Sequence, residues 1–179
     1  MQSNESIKKN IETIRDHQVK LYSYLYDLVD KPLSVDENFL ENIYCGFLND
    51  DRNEIKRISV YALLFFLKIK KDKYKVIALK WAQNMDNNEE LRLSCMAGLS
   101  QAYTGSKDPQ LLSFFFNVFT ELNEDEDLRA ESFVGMMKVL GLSTIEITRK
   151  NQNRLVIAFD DIDIESFGYE MNIVKKLKS

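Results

Sequence analysis

Apolar residues recur along this chain at spacings of three and four. Ile7, Ile11, Ile14, Leu21, Leu25 and Leu28 form a heptad stripe with Gln18 as its one polar position. The stripe predicts one helix over residues 1–30, ending before Pro32. Ser34-Val35-Asp36-Glu37 reads as a capping box with Ser34 at the N-cap, opening a helix through Phe39, Leu40, Ile43, Tyr44 and Phe47. A further helix is expected over Tyr74 to Met85, on Val76, Ile77, Leu79, Trp81 and Ala82. Asp108-Pro109 fits the N-cap and first position of another, through Leu112, Phe115, Phe116 and Phe119. Ser143-Thr144-Ile145-Glu146 is a second capping box, with its helix directed toward Phe159; Leu155-Val156-Ile157 within it fits a strand equally well.

Between these elements lies an internal repeat. Glu54-Ile55-Lys56, Glu90-Leu91-Arg92 and Asp127-Leu128-Arg129 each place an acid, an aliphatic and a cation in order. Ile55, Leu91 and Leu128 are 36 and then 37 residues apart. Seven positions after the aliphatic comes a small residue (Ala62, Gly98, Gly135), followed by Leu63, Leu99 or Met136. Asp161-Ile162-Asp163-Ile164-Glu165-Ser166-Phe167 is a decayed fourth copy, with Asp163 in the cation's place and Tyr169 in the small residue's. Each copy is expected to open a helix, because an acid there meets unpaired N–H groups and the positive end of the dipole. The small residue marks a close approach of a neighbouring helix.

Helical hairpins of this length, with Glu90-Leu91-Arg92 and Gly98-Leu99 or Asp127-Leu128-Arg129 and Gly135-Met136 in the second helix, resemble HEAT repeats. The short HEAT-like repeat of phycobilin lyases is the most similar variety. The resemblance covers Ser34 to about Leu142 and, more loosely, the tail to Leu177. It implies an all-α fold within a single domain over 1–179: a short right-handed α-solenoid of about four hairpins. Residues 34–177 would supply the hairpins, the last one degenerate, and residues 1–30 a capping helix. The Trp, Gly-Tyr and Pro pattern of tetratricopeptide repeats is absent. In the HEAT architecture the second helices line the concave side, which would present Arg57, Tyr61, Leu93, Ala97, Gln101, Ala130, Val134, Met137 and Lys138 there.

Composition narrows the classes. The 179 residues include only 6 Gly and 2 Pro, too few turn formers for a β-sandwich or barrel. With 24 Lys and Arg against 28 Asp and Glu, the net charge of −4 disfavours nucleic acid as a partner. The acids gather before the repeated helices: Asp50 and Asp51, Glu89, Glu124 and Asp125, then Asp160 to Asp163. Stacked repeats would align them as an acidic ridge that steers a basic protein partner. Cys45 and Cys95 fit small core residues in a reducing compartment. Residues 1–10 have no apolar run of a secretory leader, and the longest apolar run, Val60 to Leu67, is too short to span a bilayer. The expected location is the cytoplasm, with no membrane association.

Little in the chain suggests chemistry. His17 is the single histidine, and no Ser or Cys motif accompanies it. Two cysteines and one histidine at scattered positions do not make a zinc site. Asn123-Glu124-Asp125-Glu126-Asp127 lacks the Gly and Glu of a calcium loop, having Leu128 and Val134 there. No catalytic, cofactor or metal residue is therefore expected. The leading expectation is a non-catalytic protein-binding scaffold, in its sharper form a bacterial immunity or inhibitor protein that masks a toxin or effector. The alternatives are a HEAT-like lyase-type enzyme, a chaperone subunit, or a nucleic-acid-binding HEAT-like protein, the last disfavoured by acidity. Arg57, Tyr61, Leu93, Ala97, Gln101, Val134 and Met137 are the candidate contact residues, flanked by the ridge carboxylates.

Overall fold

The structure is a computed structural model that describes residues 3–30 and 35–178. These are helical or loop, with no strand among them. The chain divides into two compact units, Met1–Gly98 and Leu99–Ser179.

The first unit opens with α1 (Asn4–Ile14) and α2 (Gln18–Asp30) rather than one capping helix. The break falls at the exposed residues Arg15, Asp16 and His17. An unbroken helix of that length would run about 40 Å and could not bury its two halves against each other. Folded back, α1 packs on α2, and Ile7, Ile11, Leu21, Leu25 and Leu28 are all buried.

Helix α3 (Glu37–Phe47) is capped by Asp36, whose Oδ1 accepts from the Phe39 amide at 2.9 Å. The predicted cap Ser34 lies outside the described residues, and Glu37 occupies the first helical position instead of the third. Leu40, Tyr44 and Phe47 face inward, and the Tyr44 hydroxyl donates to the Leu25 carbonyl at 2.6 Å.

Helix α4 (Asn53–Tyr61) runs directly into a π-helical turn over Ala62–Phe66. There the Leu67 amide reaches the Ala62 carbonyl at 2.9 Å, an i to i+5 bond that widens the helix by one residue. Helix α5 (Asp72–Gln83) begins two residues before the predicted Tyr74. It is held to α3 by Glu41, which accepts from Lys71 Nζ and the Tyr74 hydroxyl, each at 2.6 Å. Helix α6 (Glu89–Ala102) crosses from the first unit into the second.

In the second unit α7 (Pro109–Thr120) packs on α8 (Glu126–Leu140). Asp108 caps α7 as predicted, accepting from the Gln110 and Leu111 amides. Phe114, Phe115, Phe119 and Phe133 are buried between the helices, and Phe116 is half-buried. Helix α8 stops at Gly141, whose φ of 113° only glycine adopts freely.

The capping box at Ser143 is present: Glu146 N donates to Ser143 Oγ at 3.2 Å and Ser143 N to Glu146 Oε2 at 2.7 Å. Its helix α9 (Thr144–Lys150) is shorter than expected, and 154–157 are neither helix nor strand. The helix expected from Ile162 is also displaced. Two 3-10 turns, Phe159–Asp161 and Ile164–Phe167, precede α10 (Gly168–Lys178). Asn151 explains the change. Buried after α9, it donates Nδ2 to the Arg154 and Asp161 carbonyls and accepts from the Asp163 amide at 2.8 Å. That network fixes 151–163 as an ordered loop.

The repeat positions carry the packing the alignment implies. Ile55, Leu91 and Leu128 are buried, as are Leu63, Leu99 and Met136. The repeated arginine bonds in the same way in two copies. Arg92 Nε donates to the Ala82 carbonyl at 2.9 Å, and Arg129 Nε to the Phe119 carbonyl at 3.2 Å. In both copies it meets the C-terminal end of the preceding helix, where carbonyls are unpaired and the dipole is negative.

Candidate interaction surface

Helices α2 and α4 pack together, with Leu21, Leu25, Ile55 and Ile58 buried, and share a face where Tyr22 meets Arg57. On that shared face the guanidinium of Arg57 sits over the Tyr22 ring, 5.3 Å from its centroid, and Nη2 donates to the Tyr22 hydroxyl at 3.2 Å. One turn on, Tyr61 stacks on Phe65, with centroids 4.5 Å apart and planes 14° apart. Phe66 meets Tyr61 edge-on at 5.4 Å and Tyr26 edge-on at 6.1 Å. The π-turn contributes to this arrangement, since Phe65 and Phe66 both belong to it. Tyr22, Arg57, Tyr61, Phe65 and Phe66 are half-buried, and Tyr26 is 38% exposed.

The structure therefore brings together two predicted residues, Arg57 and Tyr61, with four that the repeat alignment did not single out: Tyr22, Tyr26, Phe65 and Phe66. The signal for Tyr22 and Tyr26 was their i, i+4 spacing along the edge of the buried stripe of α2. Leu93 and Ala97 are half-buried on α6.

In the second unit Gln101 and Val134 are half-buried, but Met137 and Ala130 are not available for contact. Met137 is 0% exposed and Ala130 3%. Helix α8 is buried on most sides, with Phe133, Met136, Val139 and Leu140 also inside and charged residues interspersed among them, so its sequence marks no single outward face.

The ridge carboxylates are partly committed within the chain. Asp50 pairs with Arg52 at 2.7 Å and accepts from its backbone amide at 3.0 Å. The Arg52 side chain holds the Asp50 carboxyl below the ordinary carboxylate range, with burial opposing. Asp125 caps α8, accepting from the Asp127 amide, while Glu124 accepts from Asp125 N. Asp51 and Glu89 are exposed. On α8 the half-buried Glu131 behaves differently: burial pushes its carboxyl up to about 7, and the Lys138 charge offsets only part of this.

His17 is exposed at the break between α1 and α2. Cys45 and Cys95 are free thiols, half-buried and buried. No helix among the described residues is long and apolar enough to cross a membrane. No protein-family profile, curated protein or solved structure matches the chain.

Proposed function

We propose that the chain acts by binding another protein, and that the aromatic face built by α2, α4 and the π-turn is its contact surface. The observation that carries this is the linked set of rings Tyr26, Phe66, Tyr61 and Phe65 beside the Arg57–Tyr22 pair, on side chains left partly open to water. Tyr, Phe and Arg are enriched in the cores of protein interfaces, and Tyr and Arg among the residues that dominate their energy. Stiff aromatic side chains supply contact area at small entropic cost. The HEAT-like repeat is compatible with such a scaffold role, and an immunity or inhibitor protein is the sharper form of the reading. The test is affinity capture from the source organism with the wild-type chain and with a Tyr61→Ala/Phe65→Ala variant. A partner held by the first and lost by the second, with both folded by circular dichroism, is the expected result. Equal capture by both would place the interface elsewhere.

A further inference from the structure

We infer that the partner segment seated on this face is acidic: a carboxylate on Arg57, flanked by apolar side chains over the rings. The inference rests on the protein-binding reading and concerns the partner's chemistry. Arg57 is half-buried, and its contacts are the Tyr22 ring and hydroxyl; no carboxylate among the described residues pairs with it. Glu54, one turn before it on α4, instead accepts from Gln18 Nε2 at 2.8 Å. A guanidinium offers five N–H donors in a planar fork. Among the described residues only one is used, so most of the fork is left for an occupant.

A carboxylate matches the fork in two parallel hydrogen bonds, which are among the stronger polar contacts available to proteins. Beside Arg57 the surface becomes aromatic, through Tyr61, Phe65, Phe66 and Tyr26. An acid next to one or two bulky apolar residues would satisfy both parts. A nucleic acid fits less well. Its phosphates call for a track of cations, and its bases for open ring faces. Here one arginine lies at the cluster, and Tyr61 and Phe65 already cover each other's faces.

The experiment is a selection of displayed random dodecapeptides on the purified full chain. Recovered peptides are then measured by fluorescence anisotropy, with a short oligothymidylate as competitor. Recovered peptides should share an Asp or Glu beside Leu, Phe, Tyr or Trp. Replacing that acid by its amide should weaken binding about tenfold or more, as should Arg57→Gln. Arg57→Glu should reject the acidic peptides and accept versions with Lys in the acid's place. Melting curves confirm that the variants are folded. If Tyr61→Ala weakens binding while Arg57→Gln and Arg57→Glu do not, protein binding stands and the acidic partner is refuted. If neither position matters, or no peptide is recovered, both readings are overturned. Displacement of the peptides by oligothymidylate at lower concentration than unlabelled peptide would also overturn the inference, in favour of nucleic acid.

Discussion

Arg92 donates its Nε to the carbonyl oxygen of Ala82 at 2.9 Å, joining the start of α6 to the last turn of α5. The residue is buried, so water is poorly placed to replace the bond. Charged hydrogen bonds of this kind contribute roughly 1.5–3 kcal/mol. Arg92→Ala should lower stability by about that amount. Arg92→Lys should recover only part of it, because a flexible ammonium lacks the fixed geometry of the guanidinium. Urea unfolding of the three proteins checks the order; equal midpoints for Lys and Arg would show that charge alone is needed.

The two repeat glycines make a second test. A β-carbon on Gly98 would lie 2.9 Å from Leu64 Cβ, and one on Gly135 would lie 2.7 Å from Phe115 Cε1. Leu64 is anchored in the π-turn and Phe115 is fully buried, so neither can move aside freely. Alanine would improve helix propensity by about 1 kcal/mol, but overpacking costs roughly 1–3 kcal/mol. Gly98→Ala and Gly135→Ala should therefore be neutral to destabilising, and the leucine variants clearly destabilised. Calorimetric melting measures this. A leucine variant that melts at the wild-type temperature would contradict the close approach.

These glycines were readable in the sequence because close packing demands a small residue at a fixed place in each repeat. The caps at Asp108 and Ser143 were readable because they depend on a few adjacent residues. Other features depend on distant packing. No Pro or Gly marks the break between α1 and α2, since burying the two halves of the stripe against each other is what favours it. The π-turn lies inside the apolar run Val60 to Leu67, where hydrophobic periodicity has no contrast to show. Met137 was expected outside and is buried for a similar reason on α8. Of the candidate surface, Arg57 and Tyr61 followed from the repeat. Tyr22 and Tyr26 did not, because α2 lies outside it.

Asn151 offers a sharp test of the loop that follows the shortened α9. Its side chain makes three bonds to backbone groups of Arg154, Asp161 and Asp163. Asn151→Ala leaves those groups without their partner, at roughly 1–3 kcal/mol for each one kept from water. Asn151→Asp retains the acceptor but sets a carboxylate oxygen against the Arg154 and Asp161 carbonyls in a buried site, so near neutral pH it should be at least as destabilised as alanine. Hydrogen exchange provides the readout: the Asp163 amide should exchange faster in Asn151→Ala, with α7 little changed. Unchanged exchange at Asp163 would mean that the loop is ordered by other contacts.

Glu131 should make stability depend on pH in the reverse of the usual carboxylate sense. Its carboxyl is pushed up to about 7 in the folded chain, against an ordinary value of 4.5, by burial that disfavours the charged form. Below about pH 4.5 the group is protonated whether the chain is folded or not, and contributes no difference. Between about 4.5 and 7 the unfolded chain ionises first, so unfolding releases the proton and this contribution to stability falls as pH rises. Above 7 the penalty is constant. At 1.36 kcal/mol per pKa unit it is at most roughly 3 kcal/mol, reduced by the water that a half-buried side chain still meets. Glu131→Gln removes the titration and keeps the shape. The variant should match wild type near pH 4 and exceed it by about 1–3 kcal/mol near pH 8. Urea titrations at several pH values give the difference directly. A constant offset between the two proteins across this range would show that Glu131 titrates as an ordinary surface carboxylate.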